Sequence, residues 1–147
     1  MRRIELEQYI EAPPGRVWPV LSDHEGMVRW MPVREVVRRR SGSPEPDGVG
    51  AIRTIRGMGL VIEEQVTGWK AGERFEYVLT EGAPLRDHTG EMVLESAEGG
   101  TLVRWCVRFR PLIPGTGALL EHFVRAGLAQ GLNRLKGLIE ANECTGS

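Results

Sequence analysis

Residues 101–140 read TLVRWCVRFRPLIPGTGALLEHFVRAGLAQGLNRLKGLIE, and the spacing of apolar residues changes within this stretch. Its first part alternates, with arginines on one side and a strand-like apolar face at Thr101, Val103, Trp105, Val107 and Phe109. Such a period of two predicts a half-buried β-strand. From about Gly117 the apolar residues recur every three or four positions, which predicts an amphipathic helix of ~25 residues. The chain therefore ends in a strand followed by one long helix that has an apolar face to bury.

Strand-like patterns also precede this stretch. They occupy residues 3–11, 33–40, 51–56, 60–67, 75–79 and 88–95, separated by turn-forming glycines, prolines and polar residues. Two short helical segments are predicted after the first strand. One starts at Pro14, because proline is favoured in the first helical turn, and the other covers residues 25–31.

This order of elements predicts an α+β fold with a curved antiparallel sheet of about seven strands around the long C-terminal helix. A sheet with one apolar face must cover that face, and the terminal helix is the available cover. A concave sheet around one helix rarely fills its interior, so we expect a cavity between them. The loop at residues 41–48 is too short to separate domains, and we expect residues 1–147 to form a single domain.

Composition excludes several classes of protein. The 147 residues include 19 Lys+Arg and 20 Asp+Glu, and a formal net charge of −1 argues against nucleic-acid binding by bulk positive charge. No apolar run reaches the ~20 residues of a membrane helix, so we expect no stable membrane insertion. The charged N-terminal residues do not resemble a signal peptide, so we expect a cytoplasmic protein. Cys106 is expected within the sheet and Cys144 as an exposed free thiol.

Several segments together resemble the START-like superfamily, also called SRPBCC or Bet v 1-like, and within it the polyketide cyclase/dehydrase and lipid-transport group. The resemblance covers nearly the whole chain. It is carried in order by Ile10–Pro14 leading into Val17–Asp23, Trp30-Met31-Pro32, Gly50 before a strand, Ile62–Val66, Arg74–Tyr77, Gly100–Trp105 and the helix ending in Leu135-Lys136. It implies the helix-grip fold. It does not imply one function, because the superfamily contains ligand carriers, cyclases and other activities.

Three side chains are candidates for chemistry inside the cavity. Glu64 shares its parity with Ile62 and Val66, and if it faces inward it needs a partner, for which Arg53 on the preceding strand is the nearest candidate. If Val61 marks the apolar parity instead, Glu64 is solvated. His88 shares parity with inward-facing residues and can act as an acid or base near neutral pH; alternatively it sits at a strand end, bonded to Asp87 or water. Tyr77 is a candidate hydrogen-bond donor.

The remaining histidines carry weaker signals. His24 follows Asp23 in a loop and is expected to be exposed, whereas His122 on the terminal helix can face either way. The three histidines lack metal-ligand spacing, so neither a metal nor another cofactor is expected.

Large apolar and aromatic side chains are expected to line the cavity, although plain core packing explains the aromatic residues equally well. Trp18 and Phe75 are assigned to the core. The full set of predicted ligand-binding residues is Met27, Trp30, Arg53, Met58, Ile62, Glu64, Tyr77, Leu79, His88, Met92, Trp105, Phe123 and Leu128.

Three functions fit these residues. The first is binding of a small hydrophobic molecule, such as a lipid, polyketide, isoprenoid or aromatic compound, between the sheet and the terminal helix. The second is a polyketide cyclase or dehydratase in which His88 or Glu64 is the general acid or base. The third is a module that binds a protein partner, which requires an exposed apolar patch. A homodimer is an open alternative for the oligomeric state.

Overall fold

The described residues form seven strands and two α-helices. The structure, a computed structural model, describes residues 1–145 and the side chains of residues 1–141. The elements are β1 (Arg2–Ile10), α1 (Pro14–Leu21), a 3₁₀ helix (Glu25–Arg29), β2 (Glu35–Arg40), β3 (Ile52–Gly57), β4 (Leu60–Lys70), β5 (Arg74–Glu81), β6 (Leu85–Ala97), β7 (Gly100–Pro111) and α2 (Gly117–Thr145).

The strands form one curved, open antiparallel sheet in the order β1-β7-β6-β5-β4-β3-β2. Strands β2 to β7 pair with their neighbours in sequence, and β1 joins beside β7. The predicted α+β helix-grip architecture is confirmed.

The second half of α2 holds the helix against β1. Its apolar residues Leu132, Leu135 and Ile139 are buried in the core. Polar bonds reinforce this contact, because the Lys136 Nζ donates to the Tyr9 carbonyl at 2.9 Å. A Cβ on Gly131 would collide with the Met31 sulfur, so glycine lets the helix approach closely here.

The first half of α2 is less buried, and Arg2 on β1 forms an ion pair with its Glu121 at 3.2 Å. Leu120 and Val124 are only partly buried against the core, and Leu119 and Phe123 are exposed. The helix therefore covers one part of the concave face and leaves space over the strands farther from β1.

The core contains the side chains that alternate inward along the strands. Phe75 is fully buried, and Trp18 packs edge-on against Phe75 and Trp69 with ring centroids 6.1 and 5.0 Å away. The inward set of β7 (Thr101, Val103, Trp105, Val107 and Phe109) is also buried, as its period of two predicts.

Several element boundaries differ from the sequence-based ones, those of β6 and α2 among them. β6 begins at Leu85 rather than at residue 88, because Leu85 and Arg86 pair with the end of β7 before an irregularity at residues 87–88. α2 has 29 residues rather than about 25. Cys106 lies half-buried in β7, and the side chain of Cys144 lies outside the described residues. No helix in the described part of the chain is long and apolar enough to cross a membrane.

Candidate functional site

A cavity of about 230 Å³ lies between the sheet and the first half of α2. Its wall is mostly apolar and includes side chains from the 3₁₀ helix, from β3 to β7 and from α2. The polar residues in the wall are Arg53, Glu64, Tyr77 and His88 (Trp105 adds an indole N–H), and all are buried. Met58 and Phe123, in contrast, are about half exposed, at 49% and 48%. The cavity thus runs from a buried polar end to an apolar mouth.

Arg53 and Glu64 form a buried ion pair at the polar end. They are direct neighbours on β3 and β4, and both side chains point inward. The Arg53 Nε and NH2 groups both donate to Glu64 Oε1, at 3.0 and 2.7 Å. With 2% and 7% exposure, neither charge is solvated well enough to stand alone, so each needs the other. The predicted pairing of these residues is present.

His24 is fully buried, so the prediction that it is exposed is wrong. Its Nδ1 accepts a hydrogen bond from Arg53 NH1 at 2.7 Å, because a guanidinium can only donate. Its Nε2 therefore carries the proton and donates to the Asp47 carbonyl at 2.9 Å. Burial and the Arg53 charge lower the pKa of His24 from 6.5 to about 3, which keeps the ring neutral. A loop has no repeating apolar pattern, so the sequence cannot predict whether a histidine in it is buried. His24 is buried by contacts with residues distant in sequence.

Tyr77 lies flat over β6 beside the ion pair. Gly90 is its direct cross-strand neighbour, and a Cβ at position 90 would collide with the Tyr77 ring, so glycine makes room for it. The Arg53 guanidinium carbon lies 5.0 Å from the centre of the ring. The Tyr77 hydroxyl accepts a hydrogen bond from the Trp105 Nε1–H at 2.8 Å. Burial and the nearby Glu64 carboxylate raise the Tyr77 pKa, so the phenol keeps its proton.

A bulge in β6 turns His88 into the cavity. The pairing of β6 with β7 shifts between Arg86 and Thr89, and Asp87 has a φ of 52° in the left-handed region. His88 lines the cavity, and its Nδ1 accepts a hydrogen bond from the Leu79 backbone N–H at 3.0 Å rather than contacting Asp87. Asp87 pairs with Arg110 instead. Burial lowers the pKa of His88, opposed only in part by Glu64.

Most of the predicted site residues come together around this cavity. Eleven of the thirteen line it, namely Met27, Arg53, Met58, Ile62, Glu64, Tyr77, Leu79, His88, Trp105, Phe123 and Leu128. Trp30 and Met92 do not line it and lie in the packed core. Trp30 packs edge-on against Trp105 with ring centroids 6.0 Å apart. This placement describes the wall of the cavity, and a role in ligand binding stays a prediction.

The sequence also missed part of the wall. The additional lining residues are Met31, Val33, Ile55, Gly57, Leu60, Ala83, Pro84, Leu85, Val107, Leu120, Val124 and Gly127. Some carried a usable signal: Val107 shares a strand face with Trp105, and Leu120 and Val124 share a helix stripe with Leu128. The loop at residues 83–84 carried none, because its position depends on packing between elements distant in sequence.

Three of the exposed apolar side chains, Met58, Leu60 and Phe123, line the cavity. Other exposed apolar residues lie in the same elements or after β7, namely Val61, Leu112, Ile113 and Leu119. The segment after β7 is tied to the mouth by the Leu112 N–H, which donates to the Pro84 carbonyl at 3.0 Å. The mouth of the cavity is thus bordered by exposed apolar side chains.

A curved antiparallel sheet closed by one long C-terminal helix defines the Bet v 1-like helix-grip class of proteins. The chain belongs to the family described as polyketide cyclase/dehydrase and lipid transport, which matches residues 1–140. Comparison of the sequence with curated proteins gives no match.

Solved structures with the same fold come from different kinds of protein. The Zhui aromatase/cyclase from Streptomyces sp. R1128 has a TM-score of 0.81 at 18% identity, with 96% of this chain and 94% of that chain covered. The Bet v 1 allergen Ara h 8.0201 has a TM-score of 0.76 at 15% identity, covering 96% and 99%. The protein TTHA0849 from Thermus thermophilus has a TM-score of 0.76 at 23% identity, covering 95% and 98%. These likenesses establish the fold.

Proposed function

We propose that this protein binds one small hydrophobic molecule, such as a lipid, polyketide, isoprenoid or aromatic compound, in the cavity between the sheet and α2. The observation that carries the proposal is the apolar cavity of about 230 Å³ that opens at an apolar mouth. Each 40 Å² of ligand surface buried there would contribute about 1 kcal/mol.

The hydrogen bonds and pKa shifts of the polar groups in the cavity support ligand binding without catalysis. Arg53 already uses three N–H groups on Glu64 and His24, so the charged groups are held by the protein itself. A general acid or base should have a pKa near the working pH. Here the pKa of His88 is lowered and that of Tyr77 is raised, so both move away from neutrality.

A binding measurement with a neutral dye tests the proposal. N-phenyl-1-naphthylamine should bind with enhanced fluorescence, and Val124→Trp, which fills part of the cavity, should weaken its binding at least about tenfold. Val49→Trp is the matched control, because Val49 is 46% exposed and precedes β3 at the end away from the β3–β4 turn. Equal binding by Val124→Trp and the wild type would contradict binding in this cavity. Native mass spectrometry of the purified protein would identify a ligand that co-purifies.

The alternative is a cyclase or dehydratase, which the family description and the likeness to an aromatase/cyclase favour. In it His88 or Glu64 is the acid or base and Tyr77 a donor. His88 Nδ1 already accepts from Leu79, so the proton sits on Nε2 and this tautomer presents a donor rather than a base. Loss of turnover of a polyketide-like substrate in His88→Gln, with dye binding retained, would support this alternative. The predicted cytoplasmic location, partner binding and homodimer stay predictions.

A further inference from the structure

The polar end of the cavity contains a hydroxyl group with a free proton. The Tyr77 oxygen accepts from Trp105, and its own O–H has no acceptor among residues whose side chains are described. A buried donor without an acceptor is unfavourable, and a ligand atom that accepts its proton removes that penalty.

His88 supplies a second donor in the wall of the same cavity. Its ring centre lies 5.6 Å from that of Tyr77, and both residues line the cavity. Since Nδ1 is occupied as an acceptor by the Leu79 N–H, the neutral ring carries its proton on Nε2. Within the described part of the chain this N–H has no hydrogen-bond acceptor.

The neighbouring charges do not favour an anionic ligand. The charge of Arg53 is neutralised by Glu64, and its guanidinium donates hydrogen bonds to Glu64 Oε1 and His24 Nδ1. Glu64 Oε2 has no hydrogen-bond partner among the described residues, so the free acceptor at this end belongs to a carboxylate. A ligand carboxylate placed here would meet that like charge in a poorly solvated environment.

From this arrangement we infer that the cavity selects a neutral, mostly apolar ligand whose buried end carries a hydrogen-bond-accepting oxygen, as in a ketone, quinone or ester carbonyl. Tyr77 Oη–H and His88 Nε2–H are the donors that select it. The inference rests on the proposed binding function and adds the chemical class of the ligand.

Both donors keep their protons over the neutral range. Burial raises the pKa of Tyr77, so its hydroxyl does not ionise there. Burial lowers the pKa of His88, so its ring stays neutral with the proton on Nε2. The selection for an acceptor should therefore hold from about pH 7 to pH 9.

Three probes of similar shape test the inference in competition with N-phenyl-1-naphthylamine. 2-Acetylnaphthalene carries a carbonyl, 2-isopropenylnaphthalene replaces its oxygen by CH₂, and 2-naphthoate carries a carboxylate. We expect the ketone to bind about tenfold more tightly than the hydrocarbon, as one added buried hydrogen bond would give. We expect 2-naphthoate to bind more weakly than the ketone. Equal binding of ketone and hydrocarbon, or tightest binding of 2-naphthoate, would overturn the inference.

Variants then assign the preference to the two donors. Tyr77→Phe and His88→Leu each remove one donor, and the ratio of ketone to hydrocarbon affinity should fall several-fold in at least one of them. His88→Gln can accept from the Leu79 N–H through its oxygen and donate through its amide, so it should keep more of the ratio than His88→Leu. A ratio unchanged in both Tyr77→Phe and His88→Leu would overturn the assignment.

Folding and binding are controlled within the same assay. Tyr77→Phe leaves the Trp105 N–H without its acceptor, so dye binding and the thermal transition of each variant report whether it still folds. If neither the dye nor any probe binds the wild type, the proposed function fails and the inference fails with it. If the dye and the hydrocarbon bind while the ketone shows no preference, the inference alone fails.

Discussion

At the scale of single residues, the decisive group is Arg53, which is 2% exposed and contacts Glu64, His24 and Tyr77 at once. A guanidinium suits this position because its planar fork presents several donors in fixed directions. The same geometry makes each partner depend on the others. Removal of one neighbour leaves a buried charge or a buried nitrogen without its contact.

The ion pair predicts a large difference between a buried and an exposed glutamate. Glu64→Gln keeps the shape of the side chain but leaves the Arg53 charge uncompensated, so the free energy of unfolding should fall by about 3–5 kcal/mol. The control is Glu73→Gln in the exposed pair with Lys70, where the loss should stay below about 1 kcal/mol. Urea unfolding measures both, and similar losses in the two variants would contradict the buried pair.

His24 predicts a pH dependence of stability. The folded ring takes up a proton only near pH 3, whereas in the unfolded chain it does so near pH 6.5. The unfolded state therefore binds the extra proton between these values, and stability is lost as the pH falls. The loss approaches about 1.4 kcal/mol per pH unit well below pH 6.5. His88, whose pKa is also lowered, acts in the same direction.

Chemical denaturation at pH 7, 6, 5 and 4 measures this effect, with His24→Gln as the comparison. The variant should start from a lower stability at pH 7, because the contact with Arg53 changes, but it should lose less stability on acidification. A variant curve parallel to that of the wild type would show that His24 is not the group that titrates.

At the scale of elements, α2 combines a tightly packed half with a half that stands over the cavity. Within the packed half, one glycine lies in a close contact and another faces open space. Gly131 faces Met31 and Trp30 at the close contact with the core, whereas Gly137 has no atom near the position of an added Cβ. Substitution by alanine improves helix propensity at both positions, but it changes packing only at position 131. Comparison of the two variants therefore distinguishes the two effects on stability.

Gly137→Ala should raise the free energy of unfolding by up to about 1 kcal/mol, since alanine favours the helix and the methyl group meets nothing. Gly131→Ala should gain less or lose stability, because its methyl group collides with the flexible Met31 side chain. Thermal or urea unfolding of the two variants measures this difference. Equal increases in the free energy of unfolding would mean that the Met31 side chain moves aside for the methyl group at position 131.

At the scale of the whole molecule, the fold was predictable because the spacing of apolar residues that identifies each strand or helix lies within that element. The alternation along β7 and the three-to-four spacing of α2 each lie within one element, so the sequence alone determines which face is buried. The pairing of Arg53 with Glu64 was predicted as one of two alternatives, since parity left open whether Glu64 faces inward, and the register of β3 with β4 places the two residues opposite each other.

The unpredicted parts depend on contacts between distant segments. The burial of His24 results from the carbonyl of Asp47 and the guanidinium of Arg53, neither of which is near it in the chain. The hydrogen bond of His88 to Leu79 needs the bulge at Asp87, and no residue pattern in the sequence marked that bulge. Trp30 and Met92 show the converse limit, because large apolar side chains look alike whether they fill a core or line a cavity.

The unequal attachment of α2 has a consequence for the time a ligand spends inside. The second half is anchored to β1 by buried leucines and by Lys136, whereas the first half has the partly exposed Arg2–Glu121 ion pair with β1 and partly exposed side chains at the mouth. Local fluctuations need to break only the weaker set, and their free energy is smaller than that of global unfolding. Opening of the first turns of α2 would widen the mouth, so the residence time of a bound molecule would depend on those contacts more than on the stability of the whole protein.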